Sequence, residues 1–319
     1  MRYARVTLIA LLALPLVAGA QAFPSKPIRI VTAAGAGGGV DTSSRLVAQG
    51  LQEALGQPGV VENRPGAGGA VGGDIVAKAT PDGHTLLTIS ISHSVLPSSH
   101  KNLPYSPERD LVPVTVMVNA PNILVVHPSL PVKSIKELVA YARTRPGQIN
   151  YASSGNGSPA HLATEYLKLL TKIDLVHVPY KGTGPGMTDT MAGRVSMMFA
   201  SIISTRQHIE AGKLRPLAMA SGKRAAAAPE VPTIAEAGVP GYAVDVWYAM
   251  LAPAATPRPV LEQLNTAVSK ILHAPDVSRK LAAIGLEPVG QGLAQTDAYI
   301  KSEIKKWAQV VEAAKISSN

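Results

Sequence analysis

Four glycine-rich segments hold the residues of this 319-residue sequence that could do chemistry. Each lies between a predicted strand and a predicted helix: GAGGGVD (35–41), RPGAGG (64–69), SSGNGS (153–158) and YKGTGPG (180–186). Glycine lets backbone N–H groups approach a ligand closely, and the N-terminus of a helix adds partial positive charge. Any one of these segments could simply shape a turn. Four of one kind, in a chain with no competing site, favour the binding of an anion.

Asp41 ends the first segment and has two interpretations. One is the N-cap of the helix that follows, where a carboxylate is electrostatically favourable. The other is an acceptor for the amine of a zwitterionic ligand. Because Asp41 would repel a polycarboxylate that has no amine, the sequence favours the N-cap.

The last two segments add polar side chains. Lys181 either balances a ligand carboxylate or is a charge exposed on a loop, and the sequence leaves both interpretations open. Ser154, Ser158 and Thr183 offer hydroxyl groups to a carboxylate. Ser158 is also the predicted N-cap of a helix whose first residue is Pro159.

No catalytic constellation is apparent. The patterns G-x-S-x-G, H-E-x-x-H and G-x-x-x-x-G-K-[ST] are absent, and Val40 occupies the last glycine position of the dinucleotide fingerprint. The eight histidines are dispersed, so a structural role is favoured for each, including His161 and His177. Since catalytic groups assemble from distant positions, an exported hydrolase that uses a serine of 153–158 stays the alternative. A base within hydrogen-bond reach of such a serine would support that alternative.

Composition and charge exclude several classes of protein. With 46% hydrophobic and 16% charged residues, the chain is a well-packed globular protein and not a disordered one. The net charge is +9, but the basic residues are scattered and aromatic residues are only 4%, which disfavours nucleic acid as a partner. Cysteine is absent, so disulfides and thiolate metal sites are excluded. We expect no cofactor.

Residues 1–22 are predicted to be a cleaved signal peptide. Arg2 and Arg5 precede a short apolar run, and AQA (20–22) fits a cleavage site. No cysteine lies near this site to carry a lipid, and no second long apolar run follows, so we expect no membrane span in the mature chain. The mature protein is expected to begin near Phe23 and to reside in the periplasm.

Strands and helices alternate along the mature chain. Near its start, strands are predicted at 27–33, 59–63 and 85–92, and helices at 41–56 and 68–79. This order indicates parallel strands with crossover helices. Ser90 and Ser92 end the third strand and could face a ligand cleft, although a structural role is favoured for them.

Two β-rich passages, near 117–127 and 242–252, bracket a middle α/β unit. A domain inserted within another and joined to it by two strands forms a hinged pair with a cleft between. The predicted fold class is therefore α/β with two domains, the second inserted, and two hinge strands. The predicted boundaries are 23–122 and 247–319 for the first domain and 123–246 for the second.

Strings along the whole mature chain resemble one family. They are PSKPIRIV, GGGVD, LGQPGVVENRPGAGG, PDGHTLL, NYASSGNGSPAHLATEYLK, HVPYKGTGP, AGKLRPLA and WYAMLAPAATP. In this order they resemble the Bug-type (TctC-like) solute receptors of tripartite tricarboxylate transporters. The most specific strings are ENRPGAGG and VPYKGTGP.

The resemblance implies a periplasmic binding protein of the Venus flytrap, type II-like fold. Such a receptor captures a small carboxylate, for example a di- or tricarboxylate, an acidic amino acid or an aromatic acid. It delivers this ligand to membrane transporter subunits, or alternatively signals through a sensor partner. We expect a monomer that is not an enzyme.

The resemblance also implies which residues grip the ligand. Carried over by position, and joined with the polar groups above, the expected ligand-binding residues are Gly35, Ala36, Gly37, Gly38, Gly39, Asp41, Ser90, Ser154, Gly155, Gly157, Ser158, Lys181 and Gly182. One departure stands out, since Ala33 and Ala34 occupy positions where the family usually has proline and phenylalanine. The missing ring is expected to enlarge the pocket or loosen the loop.

Overall fold

The computed structural model describes residues 23–100 and 102–316. The predicted signal peptide, residues 1–22, lies outside the described residues. Within them the α-helices are α1 (Gly39–Leu55), α2 (Ala70–Ala77), α3 (Leu96–Ser99), α4 (Ile135–Arg143), α5 (Pro159–Thr171), α6 (Thr183–Met191), α7 (Ile202–Glu210), α8 (Arg258–His273), α9 (Pro275–Ala283) and α10 (Leu293–Ala314). Short 3-10 helices cover Ala67–Gly69 and Ile91–Val95. None of the helices in this part of the chain has the length and apolar character that crossing a membrane requires.

Two sheets organise the chain. The first consists of β1 (Ile28–Thr32), β2 (Gly59–Asn63), β3 (Thr85–Ser90), β4 (Leu111–Asn119), β10 (Trp247–Pro253) and β11 (Glu287–Pro288). The second consists of β5 (Asn122–Val126), β6 (Asn150–Ser153), β7 (Val176–Pro179), β8 (Met197–Ser201) and β9 (Arg215–Met219). The α/β prediction is confirmed.

The first sheet has the strand order β11-β4-β10-β3-β1-β2. β1 pairs in parallel with β2 and β3, as the alternation of strands and helices predicts. β10 runs antiparallel between β3 and β4. Ile30 and Val31 are adjacent and fully buried, so both faces of the sheet are covered. β3 ends at Ser90, earlier than predicted, because the chain turns there into the 3-10 helix that contains Ser92.

The second sheet has the strand order β7-β6-β8-β5-β9. β6 pairs in parallel with β7 and β8, whereas β5 runs antiparallel to β8 and β9. The carboxyl ends of β6 and β7 therefore lie side by side. The loops that follow these two strands are the third and fourth glycine-rich segments.

The chain passes between the sheets at two places. Ala120 and Pro121 separate β4 from β5 within the first predicted β-rich passage. The return runs through residues 220–246, and the second β-rich passage, predicted near 242–252, is a strand only in its later part. β10 begins only at Trp247, because the preceding residues pair one amide at a time: Val244 N donates to Ala220 O and Ala120 N to Val246 O. The inserted second unit is confirmed at the level of the fold, and its exact boundaries stay a prediction.

The last helix joins the two units. α10 packs against both β4 and α5. The buried carboxylate of Glu303 accepts hydrogen bonds from the indole N–H groups of Trp247 and Trp307, both at 3.0 Å. Trp247 begins the hinge strand β10, and the Trp307 ring lies 6.1 Å from that of Tyr166 in α5. The hinge is thus braced by a helix that touches both sides.

Candidate functional site

The β1–α1 loop, residues 33–38, is held in place by Asp41, which lies in the first turn of α1. The carboxylate of this residue accepts hydrogen bonds from Gly37 N at 2.8 Å, Asn63 Nδ2 at 2.8 Å and Arg45 Nε at 3.1 Å. Burial by itself would raise the pKa of the Asp41 carboxyl, but the hydrogen bonds from Arg45, Gly37 and Asn63 lower it below its usual value. The carboxylate is therefore charged, and the protein itself uses its acceptor positions.

The N-cap prediction for Asp41 is wrong. The helix N-cap is Gly38, whose backbone is extended, and Asp41 is the third residue of α1. From this position the carboxylate reaches back to Gly37 N, outside the helix, in the manner of an acidic residue in a capping box. The predicted charge stabilisation in the first turn holds, although the residue shapes the loop instead of capping the helix.

The ENRPGAGG segment supports the same loop. Asn63 Nδ2 donates to Ala34 O at 3.1 Å, and Arg64 N donates to Thr32 O at 2.8 Å. A Cβ on Gly69 or Gly72 would approach Ala33 to 3.3 or 3.2 Å, so glycines at these positions let the segment pack tightly against Ala33. The second glycine-rich segment is thus a buttress for the first, and Ala33 and Ala34 are firmly held in spite of the missing proline and phenylalanine.

This arrangement leaves a cluster of backbone amides without acceptors. Gly39, Val40 and Asp41 are the first residues of α1, and their N–H groups have no hydrogen-bond partner in the described chain. The same holds for the amides of the loop residues Ala34, Gly35, Ala36 and Gly38, whereas Gly37 N is taken by Asp41. Gly35 to Gly38 are exposed. Exposed amides at a helix N-terminus are suited to an anion.

Tyr248 lies against this cluster and was not predicted from the sequence. A Cβ on Gly39 would lie 2.7 Å from the Tyr248 hydroxyl, so the ring covers the start of α1. Tyr248 is paired in register with Ser90, the half-buried last residue of β3. Burial raises the pKa of Tyr248 to about 12, so the hydroxyl stays a neutral donor. No local pattern gives its position, because β10 is distant in sequence from β1.

The β6–α5 loop, residues 154–158, uses its amides internally. Gly155 N donates to Ser153 Oγ at 3.1 Å, and Gly157 N donates to His161 Nδ1 at 3.0 Å. Ser158 N donates to Gly155 O at 3.2 Å, and Ser158 Oγ caps α5, as predicted. The amides of Gly155, Gly157 and Ser158 are therefore engaged in this conformation.

Other groups of the β6–α5 loop are available. The amides of Ser154 and Asn156 have no partner among the described residues. Asn156 was missed by the sequence reasoning, although it is the exposed residue of this loop and carries an amide side chain. Polar recognition on this side would therefore come from Ser154 and Asn156.

The β7–α6 loop, residues 180–182, lies beside the β6–α5 loop. Tyr180 N donates to Ser153 O at 2.9 Å, and a Cβ on Gly155 would lie 3.7 Å from Tyr180 O. Lys181 is exposed and joins no ion pair within the described residues. Gly182, the N-cap of α6, has φ +122°, a conformation that favours glycine. The loop that carries Lys181 thus lies next to the β6–α5 loop.

One hydrogen bond joins the loops of the two sheets. Ser92 Oγ, in the 3-10 helix after β3, donates to Gly157 O at 3.0 Å. Since Ser90 precedes this helix and pairs with Tyr248, the loops after β1 and β3 face the loops after β6. The structure therefore brings the predicted residues into two facing sets, and Ser92 connects them.

Ser153 and His177 resemble the start of a catalytic pair. Ser153 Oγ lies 2.6 Å from His177 Nε2, which meets the criterion set for the hydrolase alternative. However, Ser153 is only 1% exposed, and its hydroxyl also binds the N–H and the carbonyl of Gly155. No carboxylate of the described residues hydrogen-bonds His177. A nucleophile must reach its substrate, so this enclosed pair has a structural role.

A separate cavity of about 390 Å³ lies at the hinge. Residues of both chain passages line it, among them Pro121, Lys223 and Asp245, and none of the predicted ligand-binding residues does. It has side chains of both charges, Lys223 and Arg224 beside Asp245 and Glu287. The facing loops differ from this cavity because they add the N-termini of α1 and α5 to their free amides.

Comparisons with known proteins identify the family. The sequence profile of the family described as "Tripartite tricarboxylate transporter family receptor" matches residues 43–316. Protein BugT of Bordetella pertussis is 38% identical over 298 residues, which are 92% of this chain and 90% of that protein.

Two solved structures are similar over nearly their whole length. The R. palustris protein Rpa4515, solved with adipate, has a TM-score of 0.79 and 36% identity, covering 92% of this chain and 99% of that one. MatC from Rhodopseudomonas palustris, with bound malate, has a TM-score of 0.76 and 33% identity, covering 91% of this chain and 100% of that one. These relatives are binding proteins and not enzymes, which decides against the hydrolase. The chain belongs to the TctC family, the solute receptors of tripartite tricarboxylate transporters.

Proposed function

We propose that this receptor captures a small dicarboxylate between the β1–α1 loop and the loops after β6 and β7, and delivers it to membrane transporter subunits. One carboxylate accepts hydrogen bonds from the free amides around Gly38 and Gly39 and from the Tyr248 hydroxyl. The positive end of α1 adds to this attraction. The observation that carries the proposal is the cluster of amides without acceptors that runs from the exposed loop before α1 into the first turn of this helix.

The second carboxylate is bound from the other side. Ser154 and Asn156 supply donors, and the Lys181 ammonium group supplies charge. Two relatives of similar fold were solved with adipate and with malate, which are both dicarboxylates of different length. The small side chains of Ala33 and Ala34 favour longer dicarboxylates such as adipate, because no aromatic ring projects from this loop to shorten the pocket.

An acidic amino acid fits less well. Its ammonium group needs an acceptor, and the carboxylate of Asp41 is already occupied by Gly37, Arg45 and Asn63. Binding an amine there would break the bonds that hold the loop. We therefore place di- and tricarboxylates before aromatic acids, and both before amino acids.

The two-unit fold supports the proposed delivery. Closure of the second sheet over a bound ligand makes the closed form the one that a membrane partner can recognise. Receptors of this family are periplasmic, which is where such a partner exposes its outer face. The family description is the support for a transporter as the partner.

A thermal-shift panel tests the proposal. The panel contains adipate, malate, citrate, glutamate and terephthalate, with chloride at matched ionic strength as the blank. A ligand that binds only the folded state stabilises it by mass action and so raises the melting temperature. At a hundredfold excess of ligand over Kd, the free energy of unfolding rises by about 3 kcal/mol. We expect the largest shift with a dicarboxylate and no consumption of it. A shift with glutamate alone would contradict the assignment of Asp41, and no shift with any acid would contradict the proposed function.

A further inference from the structure

Two histidines lie stacked next to the β6–α5 loop. The ring centroids of His161 and His177 are 4.0 Å apart with an interplanar angle of 5°. The Tyr151 ring stacks on the same group, 4.9 Å from His177 and 6.4 Å from His161. Neither histidine belongs to the proposed ligand site, so their arrangement needs another explanation.

Each histidine is connected to one glycine of the loop. His161 Nδ1 accepts the Gly157 N–H directly. His177 Nε2 binds Ser153 Oγ, and this hydroxyl oxygen accepts the Gly155 N–H. Gly155 has φ +122° and Gly157 has φ +69°, conformations that other residues rarely adopt. The histidines thus stabilise, directly or through Ser153, the two glycines of the loop that have positive φ.

The contact with His161 also orients the carbonyl of the same residue. Gly157 donates its N–H to His161 on α5 and accepts a hydrogen bond from Ser92 on the opposite side. If the amide of Gly157 lost its acceptor, the residue could rotate and the carbonyl would turn away from Ser92. The loop conformation and the contact between the two sides are therefore linked through one glycine.

Burial keeps the rings neutral, as an accepting nitrogen requires. Burial, followed by the neighbouring His177 and Lys168, lowers the pKa of His161 to about 3. Burial also lowers the pKa of His177, with Glu165 opposing this change and Lys168 adding to it. Glu165 is held by other partners, because it accepts hydrogen bonds from Tyr151 Oη at 2.7 Å and Lys168 Nζ at 2.8 Å.

We propose that His161 and His177 are positioning residues: they hold the β6–α5 loop in the conformation that leaves the Ser154 and Asn156 amides free and directs Gly157 O toward Ser92. They act on ligand affinity without touching the ligand. The affinity part of this inference rests on the proposed function, whereas the effect on the loop itself does not.

Two substitutions of His161 distinguish its role as a hydrogen-bond acceptor from its role in packing. His161→Asn keeps a side-chain oxygen near the place of Nδ1, whereas His161→Leu has a comparable apolar volume and no acceptor. In calorimetry of the purified protein with adipate and malate as probes, we expect His161→Leu to bind about tenfold more weakly. His161→Asn should stay within about threefold of the native affinity. Equal losses in both variants would mean that the ring is needed only for packing and would overturn the inference.

A double substitution tests the link to Ser92. Ser92→Ala should weaken binding a few-fold in the native background and have no further effect in the His161→Leu background. Fully additive losses would show that the two contacts act separately and would contradict the linkage through Gly157.

A ligand-free measurement keeps this inference separate from the proposed function. Amide hydrogen exchange at Gly155 and Gly157 should become faster in His161→Leu than in His161→Asn or the native protein. If neither probe binds the native protein, the dicarboxylate proposal fails while the exchange result still decides the role of His161. Unchanged exchange at Gly157 in His161→Leu would overturn it.

Discussion

The β1–α1 and β6–α5 loops occupy equivalent places, each between a parallel strand and a helix, but they keep their shape in opposite ways. The β1–α1 loop is held mainly by side chains, since Asp41 and Asn63 bind it from outside and most of its amides stay free. The β6–α5 loop is held by its own amides, which donate to Ser153 and His161. Glycine content therefore does not tell whether a loop can grip an anion. What matters is whether other groups hold the loop and so leave its amides free.

Acid should have the largest effect on stability, through the histidines. The pKa of His161 is lowered to about 3, and burial lowers that of His93 to about 4. Between these folded-state pKa values and the unfolded value of about 6.5, the unfolded chain binds more protons than the folded one. The stabilisation is therefore fully present above about pH 6.5, and the free energy of unfolding falls as the pH drops below it. We expect a loss of roughly 2–3 kcal/mol per histidine at pH 4.

Urea unfolding between pH 8 and pH 4 measures this loss, and His161→Asn is the matched variant. The stability of this variant should depend less on pH over the same interval, because an asparagine side chain cannot take up a proton. If the native protein shows no pH dependence between pH 6.5 and pH 4.5, the buried neutral histidines are not as described.

Removing Asp41 should come next. Asp41→Ala leaves Gly37 N without its acceptor and Asn63 Nδ2 with only Ala34 O, which costs about 2–3 kcal/mol of unfolding free energy. Loss of the loop shape should weaken ligand binding about a hundredfold. Asp276→Ala is the control, since its partner Lys280 is 3.8 Å away and both side chains are more than half exposed. Calorimetry and urea unfolding should show both losses in Asp41→Ala and neither in the control.

Tyr248→Phe tests the hydroxyl donor that the proposed function places beside the β1–α1 loop. The hydroxyl makes no hydrogen bond within the described residues, so its removal should not change stability. A hydrogen bond to a carboxylate is worth about 1.5–3 kcal/mol, so affinity should fall about tenfold or more. Tyr299→Phe, at a half-buried tyrosine of the hinge cavity, should leave affinity unchanged. Native affinity in Tyr248→Phe would remove this hydroxyl from the site.

Lys181→Gln should have the smallest effect. The side chain is exposed, and solvent and salt screen its attraction. We expect about a threefold loss of affinity for a dicarboxylate in low salt, and a smaller one in about 0.5 M NaCl. A loss that does not depend on salt would indicate a buried contact in place of the exposed one described.

The sequence allows the fold and the positions of the glycine-rich loops to be predicted, since strands, glycines and helix starts are local patterns. The details of the site depend on contacts between distant segments. Tyr248 reaches Gly39 only through the register of β10 on β3, and Asp41 looks like an N-cap until Gly37 and Asn63 are seen around it. The amides of the β6–α5 loop looked available because their acceptors, Ser153 and a histidine of α5, are defined only by the folded loop.

The most direct test of anion binding by the free amides is a substitution whose side chain occupies the space in front of them without straining the fold. Gly38 has φ −79°, and a Cβ there would meet only Gly35 O, at 3.7 Å. Gly292 is the matched control, because it is also an exposed N-cap glycine, of α10, with φ −64° and no atom within 4 Å of a Cβ. We measure adipate and malate binding by calorimetry in Gly38→Val and Gly292→Val. Binding abolished in the first, native in the second, and native melting temperatures in both would support the account. Native affinity in Gly38→Val would contradict it, and the β1–α1 loop would then be only a turn.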